Sequence, residues 1–314
     1  LIDPKSNESV KTVNRLLAAG VEVSRTSRTL SGGDSVLPAG AFVVELNPQA
    51  KDLLRDASGP GYVGIASIDR VPEADTKRLR TPRIGVYQSY VPSTEEGWTR
   101  FVLDEYGFQH EPVWDWGIRE TDLARRFDVI IVPHQAVRQI HRGFNQASYA
   151  KRYSGGLGDT GAACLRDFAN AGGTIIVWDG SARWATRHLD LPVVNVLAGL
   201  TNSEFFVPGS LLDIQVDTDH PIGYGMPKNA AALFMNGPAW RVNKGRSVAE
   251  FSRENPLLSG LMIGSERITG ATALASIPMG RGEVIMFGFR PHFRAQARGT
   301  YKLFFNAIYS SVLS

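Results

Sequence analysis

Residues 174 to 184 read TIIVWDGSARW, the outline of a catalytic turn. An apolar run that reads as a buried strand breaks at Asp179-Gly180-Ser181 and then enters a helix, which is how hydrolases raise a nucleophilic serine on a strained turn. The serine elbow G-x-S-x-G needs glycine two positions to either side, because the turn leaves no room for a Cβ. Asp179 and Arg183 stand there instead. The cysteine version fails as well, since the only cysteine, Cys164, falls within the preceding helix, where it packs as a small apolar residue. Ser181 therefore reads as a helix cap or turn residue, and as a nucleophile only weakly.

Six histidines raise the question of metal. Metal sites often use short spacings such as H-x-x-E or H-x-x-x-H that turn two ligands toward one ion, and none occurs. Asp217, Asp219 and His220 in VDTDHPIGYGMP come nearest, but a D-x-D-H-P turn usually caps itself by side-chain hydrogen bonds. His134 and His141 could share a helix face, yet lack a neighbouring carboxylate. On spacing, no metal ligand set is expected. The loop SGGLGDTG before a helix could hold an anion on its N–H groups, but it lacks the Lys-Ser/Thr of a phosphate loop and reads as a structural turn.

Near the C-terminus, RPHFRAQARGT spaces Arg290, Arg294 and Arg298 by four, so a helix there would put three guanidinium groups on one side. Such a row can grip carboxylates. The alternative, which we favour, is that these arginines form structural ion pairs, with Asp179 across the sheet edge as one partner. Asp179, Arg290, Arg294 and Arg298 are thus the ligand-binding candidates.

The elements that must position these residues follow from periodicity. SVKTVNRLLAA is a short amphipathic helix; VEVSRTS, AFVVEL and GYVGIASI read as strands, and QAKDLLRDA as a second helix, so residues 1–75 form a small α/β module. The charged stretch PEADTKRLRTPR marks the boundary. From 82 to 314, RIGVYQSY and DVIIVP are strands separated by helices, one opened by a Ser93/Glu96 capping box, which indicates a parallel sheet covered on both faces. Beyond about 204 the chain turns β-rich, with a hairpin at ATALASIP-MGRG-EVIMFGF and a last helix at GTYKLFFNAIYSS.

With 314 residues, 43% of them hydrophobic, the chain can bury a substantial core. Its 34 basic and 31 acidic residues are too balanced for a nucleic-acid footprint. No apolar stretch approaches the roughly 20 residues that span a bilayer. One cysteine leaves the redox compartment open. A start at Leu1 suggests a processed piece of something longer.

VLPAGAFVV, FFVPGSLLDIQVDTDHPIGYGMP and GRGEVIMFGFRPHFRAQARGTYKLFFNAIY resemble the region that follows the catalytic domain in large bacterial zinc carboxypeptidases of the carboxypeptidase A type. The resemblance runs from about Val13 to Tyr309. It implies a class I glutamine amidotransferase-like domain, with a flavodoxin-like α/β layering. It also implies that the peptidase zinc, held by a His-x-x-Glu pair and a later His, belongs to the parent's upstream domain; no position here matches that motif. The implied role is a noncatalytic accessory region with a binding or assembly function, without a cofactor of its own, partnered by the upstream peptidase domain, with a homo-oligomer as a further option, and exported to the periplasm or beyond. The alternative is a free-standing α/β hydrolase or amidase-like enzyme using Ser181 or another site.

Overall fold

Residues 1–32, 35–57, 63–68 and 75–313 are described by the computed structural model. The first helix, α1 (Asn7–Ala18), buries Val10, Val13 and Leu16 along one face, and its Ser6 cap accepts from the Glu8 N–H at 3.2 Å. After it come β1 (Val23–Thr26), β2 (Leu30–Gly32), β3 (Ser35–Leu37), β4 (Phe42–Val44), α2 (Pro48–Ala57) and β5 (Thr76–Leu79). β4, β1 and β5 form an antiparallel sheet in that order. The stretch expected to be a linker therefore supplies a strand: Thr76–Leu79 pairs with Val23–Thr26, while residues 72–74 lie outside the described residues. GYVGIASI is not a regular strand over its described part. Ile65 makes only an isolated bridge to Ile2, and residues 61 and 62 lie outside the described residues.

The second unit alternates strand and helix: β6 (Ile84–Gln88), α3 (Thr94–Glu105), β7 (His110–Trp114), α4 (Asp115–Glu120), α5 (Leu123–Arg126), β8 (Val129–Val132), α6 (Val137–Arg142), α7 (Gly158–Asn170), β9 (Thr174–Trp178) and α8 (Gly180–His188). Thr94 opens α3 as expected, but Ser93 makes no capping bond; its hydroxyl donates to His134 O at 3.2 Å, and Glu96 pairs with Arg100. The chain continues through β10 (Val193–Asn195), β11 (Ser210–Val216), β12 (Asn229–Phe234), β13 (Trp240–Val242), β14 (Arg246–Phe251), β15 (Leu257–Ser259), β16 (Thr272–Met279) and β17 (Gly282–Phe287). It ends in the short α9 (Phe293–Gln296) and in α10 (Tyr301–Ser310).

Among the described residues, one sheet of 12 strands organises this unit. β7, β6, β8, β9 and β17 are parallel neighbours in that order. β17 then turns back on β16 in the expected hairpin, Met279 opposite Gly282, and antiparallel β14, β11 and β12 carry the sheet onward. Its central strands are apolar on both faces, since both are covered. Val129, Ile131, Ile176, Ile285 and Phe287 face a core shared with α1, α3 and α10, whereas Ile130, Val132, Ile175, Val177 and Met286 face α4, α7 and α8. This is an α/β fold with flavodoxin-like layering. Phe42 packs on Tyr309 at 5.9 Å between ring centroids, so the N-terminal module and the main unit share one apolar core.

Candidate functional site

The parallel strands β8, β9 and β17 all end at one edge of the sheet, where an open α/β fold places its crevice. Asp179 follows β9 directly and adopts φ 51 and ψ −112, a left-handed backbone that non-glycine residues rarely take. The sharp strand-to-helix turn is thus present, but its apex is Asp179. Ser181 lies two residues later, fully buried within α8. Its Oγ donates toward Val132 O at 2.6 Å, with Trp178 O at 2.9 Å, and accepts from the Trp178 N–H at 3.0 Å. A hydroxyl held in this way staples β8 to the turn and presents nothing to a substrate. Gly180 is needed for the same close approach, because a Cβ there would lie 2.3 Å from the Gln135 carbonyl oxygen.

The Asp179 carboxylate is 3% exposed and faces a cation. Arg290, three residues beyond β17, donates its Nε to Asp179 Oδ2 at 2.9 Å and its Nη1 to Glu95 Oε1 at 3.1 Å. Glu95 comes from the first turn of α3. Burial raises the Glu95 pKa; Arg290 opposes that rise and Asp179 adds to it. The indole N–H of Trp178 lies toward the same carboxylate without reaching hydrogen-bond geometry. One guanidinium therefore bridges two buried carboxylates, a bidentate use that suits arginine and not lysine.

His134, just past β8, completes the cluster: its Nδ1 is 3.2 Å from Asp179 Oδ2 and 3.0 Å from the Gly180 nitrogen. The Gly180 N–H donates to Nδ1, which puts the ring proton of neutral imidazole on Nε2. Burial lowers the His134 pKa and so favours that neutral form, although Asp179 pulls the other way. Since Nδ1 is the acceptor, the ring cannot donate to Asp179 as a triad histidine would. Beneath the cluster, His292 packs edge-on to Trp178 with centroids 5.1 Å apart, and its Nε2 is 3.1 Å from Thr99 Oγ1. Burial pushes the His292 pKa down to about 4.

The helical arginine row does not form, whereas the favoured ion pair between Arg290 and Asp179 does. Arg294 and Ala295 have left-handed backbone angles, so α9 is a distorted turn and the periodicity of four has no helix to act on. Arg290 is half-buried in the cluster, Arg294 sits over the Phe293 ring at 5.1 Å, and Arg298 pairs with Glu105 at 3.3 Å. Sequence reasoning missed Glu95 and gave His134 no role here. The signal available for His134 was its place directly after a buried strand.

The self-capping turn at 217–223 is present: Asp217 Oδ1 accepts from the Asp219 N–H at 3.1 Å and His220 Nδ1 from the Ile222 N–H at 3.2 Å. The glycine loop packs against another turn, where a Cβ on Gly143 would lie 2.4 Å from the Gly156 nitrogen. Spacing did not expose one donor set. His141, Asp159 and His188, from α6, α7 and α8, bring one ligand atom each within 4.8 Å of one another, with the two imidazoles stacked 4.1 Å apart. These three could hold a metal ion, away from the Asp179 turn. Among the described residues, no helix is long and apolar enough to cross a membrane.

No protein-family model matches the chain, and no curated protein does. Solved structures with a similar arrangement include PurLQS from Thermotoga maritima, at 14% identity and a TM-score of 0.47, covering 72% of this chain and 97% of that one. A protein described as one of the GMP synthase subunits, from Thermoplasma acidophilum, gives 12% identity and a TM-score of 0.44, covering 72% and 94%. The β-galactosidase from Bacillus circulans sp. alkalophilus gives 13% and 0.42 over 72% of this chain, which spans only 31% of that enzyme's length. At such identities the likeness concerns the arrangement of the chain and transfers no residue role.

Proposed function

We propose that the chain is a noncatalytic accessory region of a zinc metallocarboxypeptidase polypeptide, with a binding or assembly role. The observation that carries the noncatalytic part is the Asp179–Arg290–Glu95 bridge. The strained apex where a nucleophile would stand holds a buried carboxylate fixed by a guanidinium. A carboxylate on such a turn can in principle attack an electrophile to form an ester. Here its exposure is 3%, Arg290 holds its charge, and His134 offers Asp179 no proton donor on Nδ1. Ser181, the other reading, is buried and hydrogen-bonded on both sides of its hydroxyl.

The parentage rests on the sequence resemblance alone. In that reading the upstream peptidase domain is the partner, the zinc is bound there, and the whole polypeptide is exported. Two measurements test it. Sequencing the gene upstream of Leu1 should show an in-frame His-x-x-Glu pair followed by a later His; a start codon at Leu1 would refute the parentage. The upstream domain, expressed separately, should co-purify with this chain, and failure of the two to associate would remove the assembly role.

A further inference from the structure

Four of the six histidines have a ring nitrogen engaged by the protein: His110 with Asp104, His134 with the Gly180 N–H, His220 with the Ile222 N–H and His292 with Thr99. His141 and His188 make no such bond among the described residues. In His141 the unpartnered Nδ1 is shielded from solvent, which leaves Nε2 as the nitrogen that can reach a ligand. Nε2 lies 3.8 Å from Asp159 Oδ1, too far for a hydrogen bond, and that carboxylate is 97% exposed and accepts no hydrogen bond among the described residues. One ligand atom from each of the three residues lies within 4.8 Å of the other two.

Three separate helices make this meeting. His141 sits in the last turn of α6, Asp159 in the first turn of α7 and His188 at the end of α8. The two imidazoles lie face to face, 4.1 Å apart with 12° between their planes. Two imidazoles and one carboxylate are a donor set for borderline first-row ions such as zinc, whereas magnesium and calcium take oxygen ligands. Atoms bound to one zinc at about 2.0–2.1 Å stand about 3.4 Å from one another in a tetrahedral site, so Asp159 needs little movement. Stacked rings cannot both aim a lone pair at one ion, so coordination turns one of them out of the stack. His188 is placed to turn: it is the last residue of α8, its ring nitrogens hold no hydrogen bond among the described residues, and its ring rests against Trp184 at 5.6 Å between centroids.

We propose that these three residues bind one Zn²⁺ ion through His141 Nε2, an Asp159 carboxylate oxygen and a His188 ring nitrogen, with water in the fourth position. The ion ties α6, α7 and α8 together on one face of the sheet. The site shares no residue with the Asp179 cluster and stands or falls independently of the accessory reading.

Calorimetric titration of the tag-free chain, first stripped of metal with a chelator, tests this with zinc chloride, and magnesium chloride serves as the control. Long-range ¹H–¹⁵N spectra of the imidazoles, recorded over the same titration, identify the ligating nitrogens. Saturable 1:1 binding of zinc is expected and none of magnesium, with the ring nitrogens of His141 and His188 shifting while those of the other four histidines stay in place. Asp159→Asn, at an exposed position where the fold is not at risk, should bind zinc at least about tenfold more weakly, the smallest loss that even an outer partner of a zinc ligand produces. His188→Phe, which keeps a ring against Trp184, should lose at least as much. No saturable zinc binding, equal binding of magnesium, unchanged affinity in either variant, or shifts at the other histidines in place of these two would overturn the proposal.

Discussion

Arg290 Nε lies 2.9 Å from Asp179 Oδ2, joining the ends of the parallel neighbours β9 and β17. The same guanidinium holds Glu95, so removing it leaves Glu95 without its ion-pair partner and Asp179 with only Arg183, at 4.0 Å. Arg290→Met should destabilise the protein by about 3 kcal/mol, the scale for breaking a buried pair from one side. Arg290→Lys should recover only part, because an ammonium cannot reproduce both contacts in that geometry. Urea denaturation at pH 7 reads both, and a loss below about 0.5 kcal/mol in Arg290→Met, the range of an ordinary surface change, would mean that the bridge is not structural.

Ser181→Ala should cost roughly 1–2 kcal/mol, because the Trp178 N–H loses its side-chain acceptor and the Val132 carbonyl its donor in a dry environment. The wild-type serine should resist a fluorophosphonate probe. Labelling at Ser181 would show that the turn opens far more than its burial allows.

The pH dependence of stability carries a signature of His292. Its folded pKa is about 4 and its ordinary value 6.5, so between those values the unfolded chain takes up a proton that the native protein does not. Its contribution is neutral above pH 6.5 and destabilises progressively as pH falls toward 4, by about 3 kcal/mol in total. Glu95, with a raised pKa, acts in the opposite sense: the native state holds its proton more tightly, so acidification favours folding there. The informative quantity is the difference from His292→Gln. Between pH 7 and 5 the wild type should lose more stability than the variant; parallel curves would contradict the account.

Much of the framework was legible because strongly periodic segments leave little choice. The runs around Ile130, Ile175 and Ile285 are apolar on both faces, which only a covered sheet satisfies. The same runs placed Asp179 and Arg290 at strand ends, while the parallel pairing of β9 and β17 that joins them is seen only in the structure. What failed was local. Arg294 and Ala295 fit a helical spacing yet take left-handed angles, because Arg290 is drawn into the cluster while Thr300 Oγ1, just before α10, donates to Pro291 O at 2.7 Å. Ser93 fits a capping box but serves His134 O, a partner 41 residues away that no local pattern contains. Glu95 and the His141–Asp159–His188 set escaped notice for the same reason, since their partners come from elements far apart in the chain.

The account stands most directly on whether the Asp179 turn does chemistry. Incubating the chain in ¹⁸O-water with esters, amides, glutamine and peptides, then measuring the mass of the peptide containing Asp179, reads this without knowledge of the substrate. A carboxylate that attacks an acyl carbon expels the alcohol or amine and forms a mixed anhydride, and water attacking the aspartyl carbonyl of that anhydride leaves ¹⁸O on the carboxylate. The prediction is no ¹⁸O in that peptide and no hydrolysis above the Asp179→Asn control. Incorporation of ¹⁸O at Asp179, with turnover that the Asn variant lacks, would contradict a noncatalytic role.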